Sequence, residues 1–416
     1  MKIAIVGSGI TGNVIAYNLC KDHDITVFES DDRIGGHTNT IQVSEEDNNF
    51  AIDTGFIVFN DRTYPNFIRL LEEIGQESQL SEMSFSVQSE STGLEYCGSS
   101  LNKLFAQRIN IFRPKFYCMI YDILRFNKES LKIINNLDGS ELVSEYLLRN
   151  KYSKTFIDHY LLPMSAAIWS AEPNSILNMP LKFLLNFFAN HGLLQIKDRP
   201  QWKVIKGGSY QYINKLVANY RDKIRLNCPV LSISRSYKGV EIRTPSTEKE
   251  CFDYVFMSCH SDQALSLLRD PTLPECEILS AMPYQTNEAV LHNDESLMPK
   301  NHKTWAAWNY HIPIEKAGKA TLTYNMNILQ KLKSKKQYLV TLNNDQNINA
   351  SKIISRIKYA HPIFSLNGMK MQARQEEINC ERTFFCGAYW RNGFHEDGVV
   401  SALNALSHFN KRLNSE

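Results

Sequence analysis

The first thirty residues alternate between apolar runs and a segment broken by glycines. Residues 3–6 form a short apolar, β-branched run, which predicts a buried parallel strand. A glycine turn follows, and the apolar spacing after it predicts a helix. A second apolar run, DITVFE, predicts another strand that ends at Glu29. This succession of strand, turn, helix and strand is typical of an α/β domain with a parallel sheet.

The middle of the chain shows a different pattern. Within residues 76–199, SFSVQS and GLEYCG predict strands, and a mainly helical stretch follows. Residues 202–262 contain short alternating or apolar runs, which predict a β-meander plus one more sheet strand. Residues 263–374 predict strands at NEAVLH, TWAAWNYH and ATLTYNMN, and a helix near Ser351 to Tyr359. The pattern therefore predicts a second, mixed α+β unit.

The last forty residues return to the α/β pattern. Residues 383–386 form a buried strand in this prediction, and Gly387 ends it. A polar loop follows, and we expect Gly398 to open an apolar helix, VVSALNALSHF. The chain thus begins and ends with strand, glycine and helix.

Composition narrows the classes of protein. The 416 residues suggest two domains, and 43% hydrophobic with 22% charged residues is typical of globular proteins. The 46 basic and 44 acidic residues nearly balance, which argues against nucleic acid as a partner. Nine cysteines without a CxxC pair or zinc-ligand spacing predict a reducing compartment, the cytoplasm, and no metal site. No apolar window predicts a transmembrane helix or a signal peptide.

The glycine turn predicts a dinucleotide site. Gly7, Gly9 and Gly12 fit G-x-G-x-x-G between a strand and a helix. Gly7 permits the tight turn, Gly9 leaves room for a pyrophosphate, and Gly12 lets the helix pack on the strand. The helix N-terminus presents free N–H groups to the phosphates. The predicted cofactor-binding residues of this turn are Gly7, Ser8, Gly9, Ile10, Thr11 and Gly12.

Glu29 supplies the second part of this site. A carboxylate at the end of the second strand accepts hydrogen bonds from the ribose hydroxyls, and we include Ser30 beside it. The carboxylate suits NAD and FAD equally, because both carry a free 2′-hydroxyl. It argues against NADP, whose 2′-phosphate would meet a like charge.

The segment after Glu29 favours FAD over NAD. Arg33, Gly35-Gly36, Thr38 and the later extended segment FAIDTGFIVF resemble the flavin amine oxidase and phytoene desaturase superfamily. The resemblance implies non-covalent FAD. It also implies an α/β fold, in which a discontinuous Rossmann-like FAD-binding domain carries an inserted α+β substrate domain of amine-oxidase type. In relatives this segment passes the FAD pyrophosphate and ribityl chain. It implies cofactor contacts at Arg33, Gly35, Gly36, His37, Thr38, Gly55 and Phe56, although His37 stands where relatives have Arg.

Two later segments extend the resemblance. WKVIKGGSYQYINKLV resembles the segment that returns the family's chain to the FAD domain, and Val230 matches a position whose backbone touches adenine. The C-terminal strand–Gly–loop–Gly–helix implies flavin contacts at Gly387, Asp397, Gly398 and Val399. Helix capping is an equal interpretation of Glu396 and Asp397. His395 is a weak candidate for proton transfer, and a structural role is the alternative.

The resemblance also divides the chain. We predict an FAD-binding domain from residues 1–75, 200–262 and 375–416, and a substrate domain from residues 76–199 and 263–374. Aromatic side chains in the second domain suit either an apolar substrate tunnel or core packing. They are Trp169, Phe183, Phe187, Phe188, Trp305, Trp308 and Tyr310.

The substrate follows from a closer resemblance. PMSAAIWS, NHGLL, PQWKVIKGGS, TYNMNILQ and GFHEDG resemble a bacterial subgroup of FAD-binding oxidoreductases, which are similar to the N-terminal flavin domain of plant cyclopropane-fatty-acid synthases. This implies an FAD-dependent oxidoreductase that takes a hydride from an apolar substrate, a fatty-acyl or lipid chain, as a desaturase does. The alternatives are a flavin amine oxidase, an NAD-dependent dehydrogenase and a non-catalytic flavoprotein partner of a lipid-modifying methyltransferase.

One stretch has two interpretations. LNKLFAQRINIFRPKFYCMIYDILRF interleaves five basic residues with aromatic ones. Such interleaving is typical of peripheral contact with a membrane. A helix pair broken at Pro114, with a solvated basic face, is the alternative.

Overall fold

The parallel and mixed sheets predicted from the sequence are both present. A computed structural model describes residues 1–195, 197–314, 318–379 and 381–414. The strands are β1 (Lys2–Val6), β2 (Asp24–Phe28), β3 (Thr40–Glu45), β4 (Asn48–Asp53), β5 (Phe59–Asn60), β6 (Ser78–Leu80), β7 (Phe85–Ser89), β8 (Glu95–Cys97), β9 (Trp202–Ile205), β10 (Ile224–Arg225), β11 (Ser232–Ser236), β12 (Gly239–Arg243), β13 (Glu250–Phe252), β14 (Tyr254–Met257), β15 (Tyr284–His292), β16 (Trp308–Ile312), β17 (Thr321–Asn325), β18 (Leu339–Leu342), β19 (Ile353–Pro362) and β20 (Thr383–Phe385).

Helices connect and cover these strands. The α-helices are α1 (Ile10–Leu19), α2 (Pro65–Glu73), α3 (Leu101–Leu104), α4 (Pro114–Ile133), α5 (Val143–Arg149), α6 (Lys154–Phe156), α7 (Leu162–Trp169), α8 (Pro173–Leu177), α9 (Leu181–Asn190), α10 (Tyr210–Leu216), α11 (Ser261–Leu267), α12 (Leu273–Ser280), α13 (Met326–Leu329), α14 (Leu366–Gln372), α15 (Gln375–Ile378) and α16 (His395–Leu413). A π turn (Ile157–Leu161) joins α6 to α7. The 3₁₀ turns are Arg108–Phe112, Ile134–Asn136, Arg221–Lys223, Glu295–Leu297, His302–Thr304, Asp345–Asn347, Ala350–Lys352 and Ala388–Trp390.

The first sheet is parallel and has the strand order β10-β2-β1-β14-β20. Its strands come from the two ends and the middle of the chain, and all its pairs are parallel. The central strands are buried because α1 and α16 cover the sheet. This is the discontinuous Rossmann-like domain of the sequence prediction. The predicted β-meander is present as β11-β12-β13.

The second sheet has seven strands in the order β19-β15-β18-β17-β16-β7-β8. The sheet is mixed. Strands β16 and β7 pair in parallel, and every other neighbouring pair in this sheet is antiparallel. Its strands come from residues 85–97 and 284–362, with α4–α9 beside it in sequence. This matches an inserted α+β domain. A small sheet, β5-β9-β6, joins strands assigned to both predicted domains, so the limits of the domains stay a prediction. The predicted end of the FAD-binding domain at residue 416 lies outside the described residues.

The helix predicted near Ser351 to Tyr359 is wrong. After the 3₁₀ turn Ala350–Lys352, the chain forms β19, which pairs antiparallel with β15 and has one register shift near Ile354. The side chains of residues 353–358 alternate between half-buried and exposed positions. Spacing of four residues also fits a helix, and the partner strand decides the outcome.

The last helix begins earlier than predicted. α16 starts at His395, so Gly398 lies inside its first turn instead of opening it. The backbone N–H of Phe394 donates to the Asp397 carboxylate at 2.9 Å, which closes the helix N-terminus. Asp397 is therefore the third helical residue and not the N-cap.

Three further features bear on the sequence predictions. No helix in the described ranges is long and apolar enough to cross a membrane. The same ranges contain no group of His, Cys, Asp and Glu side chains arranged to hold a metal. The eight cysteines among the described residues are free thiols.

Candidate active site

The glycine turn between β1 and α1 leaves an open space at the helix N-terminus. A Cβ atom added to Gly9 would meet nothing within 4 Å. A Cβ atom on Gly12 would lie 2.0 Å from the Gly7 carbonyl oxygen, because helix and strand touch there. The geometry thus gives the two glycines the separate roles expected from the sequence, one for a ligand and one for packing.

Glu29 is buried beside this turn. Its Oε2 accepts hydrogen bonds from the Ser8 backbone N–H at 2.9 Å and from the Ser8 hydroxyl at 2.5 Å. Its Oε1 accepts from the Asp31 N–H at 3.0 Å. The carboxylate is therefore fixed at the carboxyl end of β2, where parallel sheets of this type bind nucleotides.

The glycine pair packs directly on the turn. A Cβ atom on Gly36 would approach the Gly9 Cα atom to 3.1 Å. The Phe56 N–H donates to the His37 carbonyl at 2.8 Å, so the two extended segments lie side by side. Arg33 donates to the Thr38 carbonyl at 3.1 Å. These segments form one wall of a cavity.

The C-terminal helix closes the same region. A Cβ atom on Gly398 would lie 2.9 Å from side-chain atoms of Ile10 and Thr11. Gly398 therefore allows the first turn of α16 to contact the first turn of α1. Two helix N-termini meet at this point, and both favour negative charge.

His395 is held by several contacts. Its Nε2 lies 2.8 Å from the Tyr212 hydroxyl and 3.1 Å from the Thr38 hydroxyl. Its ring stacks on Phe56 with centroids 3.6 Å apart. Burial lowers the pKa of His395 to about 3, so the imidazole is neutral. These contacts favour a structural role, and a catalytic role stays a prediction.

The two acidic neighbours of His395 bind backbone. Glu396 accepts from the N–H groups of Asn66 and Phe67 at 3.1 and 2.8 Å, so it caps α2. Asp397 caps its own helix, and burial raises its pKa to about 6. The geometry thus supports the capping interpretation for Asp397, as the third residue of its helix, whereas Glu396 serves a different helix.

A cavity of about 1350 Å³ runs from the glycine turn into the second domain. The predicted site residues that line it are Gly7, Ser8, Gly9, Ile10, Thr11, Glu29, Ser30, Arg33, Gly36, His37, Gly55, Phe56, Gly387 and His395. The predicted residues that do not line it are Gly12, Gly35, Thr38, Val230, Asp397, Gly398 and Val399. Val230 stays a prediction, although the nearby Cys228 N–H donates to the Glu29 carbonyl at 2.8 Å.

The cavity also has lining residues that the sequence reasoning missed. Ser258, Cys259 and His260 follow β14, next to β1 in the parallel sheet. The rule that ligands bind at the carboxyl ends of such strands could have found them. Tyr359 and His361 lie on β19, and the wrong helix prediction concealed them.

Three imidazoles gather beside the glycine pair. The His37 ring lies 5.3 Å from that of His361 and 6.4 Å from that of His260, between ring centroids. It also stacks on Tyr359 at 5.0 Å. Burial, followed by the two neighbouring imidazoles, holds the pKa of His37 well below its usual range. Burial lowers the pKa of His361 to about 4.

The far part of the cavity is apolar. It is lined by Met83, Phe85, Leu104, Ile120, Ile123, Leu124, Tyr160, Met164, Ile168, Trp169, Phe187, Trp308, Tyr324 and Phe364. Three of the aromatic residues singled out in the sequence are among them. Phe183, Phe188, Trp305 and Tyr310 pack elsewhere.

These residues fit FAD. The cavity exceeds the roughly 300–1,000 Å³ of a pocket for one small ligand, so it has room for a dinucleotide and a substrate. The open space at Gly9 and the two helix N-termini suit a pyrophosphate, and Glu29 suits a ribose. The fit to FAD therefore follows from the observed geometry of this chain.

Solved structures share this fold. Cyclohexylamine oxidase from Brevibacterium oxydans IH-35A is 14% identical over 99% of both chains, with a TM-score of 0.69. Putrescine oxidase bound to putrescine is 13% identical over 99% of this chain and 100% of that one, with a TM-score of 0.68. A fatty acid isomerase from P. acnes that produces CLA is 15% identical over 98% of both chains, with a TM-score of 0.71. At these identities the likeness concerns the fold.

The sequence itself identifies the family. No curated protein matches the chain. The model of the flavin containing amine oxidoreductases matches residues 10–301, well over half of the chain. FAD is therefore the cofactor, and the nicotinamide alternative is wrong. The chain belongs to the flavin containing amine oxidoreductase family and is an FAD-dependent oxidoreductase.

Proposed function

We propose that this oxidoreductase takes a hydride from an apolar organic chain, with fatty-acyl lipids as the substrate class. The observation that supports this most is the chemistry of the cavity's far part. Aliphatic, aromatic and methionine side chains predominate there, beside a few polar ones such as Ser84, Asn127 and Arg199. Transfer of an alkyl chain into such surroundings is favourable by about 0.8 kcal/mol per methylene.

An amine substrate fits less well. A protonated amine needs a carboxylate or an electron-rich aromatic cage to replace its hydration. The carboxylates that line the cavity within the described residues are Glu29, Asp31 and Asp262, and all three follow strands of the parallel sheet. Aromatic faces such as Trp169 and Tyr324 keep amine oxidation as the alternative.

The chain's own residues would orient the substrate and exclude water. FAD, when bound, supplies the redox chemistry by accepting a hydride. Phe56, stacked on His395, fixes the cavity wall next to the glycine pair. The N-terminus of α16 places partial positive charge on that side, which favours an anionic reduced cofactor. His37, His260 and His361, whose pKa values are lowered by burial, are among the titratable groups nearby that could exchange a proton.

The proposal includes where in the cell the reaction takes place. The free cysteines of the described residues support a reducing compartment, and we propose the cytoplasm. Peripheral contact with a membrane would bring acyl chains to the cavity. The resemblance to the flavin domain of plant cyclopropane-fatty-acid synthases supports the same substrate class, because those enzymes modify acyl chains in lipids.

Anaerobic mixing tests the substrate class. The FAD-loaded protein is mixed without oxygen with detergent-dispersed phospholipids or free fatty acids, and separately with alkyl amines. We expect loss of the visible flavin absorbance with acyl chains only, and a new double bond in the recovered lipid by mass spectrometry.

Each other outcome has a meaning. Bleaching by amines alone would establish the amine oxidase alternative. Bleaching by neither class, in protein that dithionite reduces normally, would favour a non-catalytic flavoprotein that serves a lipid-modifying methyltransferase. As a matched pair, Ile123→Asp should abolish bleaching by acyl chains, because it buries a carboxylate in the apolar part. Leu148→Asp, at a side chain that is 81% exposed, should leave it unchanged.

A further inference from the structure

Exposed apolar side chains concentrate in one short region. Of the seventeen large hydrophobic side chains that are exposed in the described residues, seven fall within residues 101–124. We call residues 101–124 the basic apolar patch. The exposed members are Leu101, Ile109, Ile111, Phe112, Tyr117, Tyr121 and Leu124, and Phe112 is 80% exposed. Single exposed apolar side chains are ordinary, but such a cluster is unusual on a surface that contacts only water.

Helix α4 shows that this exposure is systematic. Its inner face buries Phe116, Met119 and Phe126. An ordinary surface helix carries charged residues on the opposite face. Here that face presents Tyr117, Tyr121 and Leu124, at the spacing of successive turns. The helix is therefore apolar on both sides over its first three turns.

The exposed charge of the basic apolar patch has one sign, because its one acidic side chain, Asp122, is buried. Residues 101–121 contain four basic side chains and no acidic one. They are Lys103, Arg108, Arg113 and Lys115. None of the four has a carboxylate within 4 Å in the described part of the chain, and Arg108 donates only to the Phe105 carbonyl and the Asn102 amide oxygen. The region thus offers both apolar contact and unneutralised positive charge.

The cavity reaches this surface. Leu101 and Leu124 line the cavity and are at the same time exposed, by 77% and 48%. Leu104, Ile120 and Ile123 continue the apolar lining inward from them. The basic apolar patch therefore borders one exposed edge of the candidate FAD cavity.

The positive charge of the basic apolar patch favours an anionic lipid surface over a second copy of the chain as its partner. In a two-fold dimer built on it, the patch would face its own copy, so four cations would meet four cations. An anionic lipid surface instead complements them, and amphipathic tyrosines are enriched where a bilayer meets water.

We propose that the basic apolar patch docks the protein on an anionic bilayer, with the cavity mouth against the lipid. Phe112, Ile109 and Tyr121 then insert at the headgroup level, and the basic residues contact lipid phosphates. Acyl chains can enter at Leu101 and Leu124 without crossing water. The purpose of this docking rests on the proposed lipid substrate, but its test does not, because binding is measured without turnover.

The test uses sedimentation of the full FAD-loaded chain with vesicles. We expect binding to vesicles of phosphatidylcholine with phosphatidylglycerol, reduced by added salt, and little binding to phosphatidylcholine alone. Arg113→Gln with Lys115→Gln should weaken binding about 25-fold, at roughly fivefold for each basic residue. Ile109→Ser with Phe112→Ser and Tyr121→Ser should weaken it about tenfold or more by removing the inserted groups.

Matched variants elsewhere serve as controls. Leu231→Ser with Tyr237→Ser and Leu273→Ser removes three equally exposed apolar side chains, and Lys21→Gln with Lys333→Gln removes two exposed cations. Both should bind vesicles as the native chain does. FAD absorbance and the thermal midpoint establish that every variant is folded.

Several results would overturn the proposal. They are equal binding to vesicles without anionic lipid, native binding by both patch variants, and a dimer in light scattering that the patch variants dissociate while vesicles stay unbound. The last result would assign the surface to a second copy. Hydrogen exchange of the native chain gives an independent measurement, in which vesicles should slow exchange in residues 101–124 and not in residues 231–273.

Discussion

Substituting Gly9 with alanine should separate cofactor binding from folding. Gly9 has φ −66° and ψ −177°, which alanine adopts without strain. The added methyl group meets no protein atom within 4 Å. We therefore expect the FAD-free protein to lose at most about 1 kcal/mol, the scale of a weaker helix N-cap. The methyl group occupies the space left for the pyrophosphate, so FAD binding should weaken by about 1–3 kcal/mol, or roughly 5- to 150-fold.

Gly12→Ala should instead lower the stability of the FAD-free protein. Its Cβ atom would lie 2.0 Å from the Gly7 carbonyl oxygen, whereas ordinary contact begins at 3.4 Å. Helix α1 must then move by more than 1 Å from β1. We expect a loss of about 1–3 kcal/mol in the unfolding free energy of the FAD-free protein, the cost of overpacking a tight contact.

Two measurements distinguish the variants. Urea unfolding of the FAD-free proteins gives stability, and titration of protein fluorescence with FAD gives affinity. Gly98→Ala is the control, because it also adds a methyl group in open space, at the outer end of the cavity. It should change neither quantity. Native FAD affinity in Gly9→Ala, or a loss of stability as large as in Gly12→Ala, would refute the assignment of this space to the pyrophosphate.

Three further predictions concern charge. Glu29→Ala should weaken FAD binding by about 1–3 kcal/mol, since it removes a buried charged acceptor, while the exposed Glu72→Ala should not; fluorescence titration tests this. Because the pKa of His395 falls from 6.5 to about 3 on folding, the unfolded chain binds more protons in that window, and stability should drop as the pH falls through it. His395→Gln should reduce this slope by up to about 1.4 kcal/mol per pH unit in urea unfolding, and an unchanged slope would contradict it. An anionic cofactor beside His37 would favour its protonated form, so FAD affinity should rise as the pH falls toward the lowered pKa of His37, and His37→Arg should remove that dependence.

Local signals in the sequence were sufficient to predict the half of the site that would bind the nucleotide. The turn from Gly7 to Gly12 and the strand ending at Glu29 require only neighbours in sequence, and their geometry follows from backbone sterics and a helix N-terminus. The parallel sheet was predicted for the same reason, because β1, β2 and β20 are continuous apolar runs.

Contacts between distant segments account for what was missed. β19 has apolar residues four apart, and only pairing with β15 makes it a strand. α16 begins at His395 because Glu396 reaches α2 and Asp397 turns back to Phe394, which no periodicity reveals. The imidazoles of His260 and His361 meet His37 from other strands, so their gathering is a product of tertiary structure.

The bond from Glu396 to the start of α2 has a consequence for biosynthesis. The first and last helices of the nucleotide domain complete one cavity wall, although almost the entire chain separates them. During translation the glycine turn emerges early, but its wall closes only when residues 383–413 have left the ribosome. Until then the apolar lining is exposed, and the nascent protein has no complete place for its cofactor. A complete flavin site therefore requires the glycine turn and residues 383–413 together, so the first segment alone should not retain the cofactor.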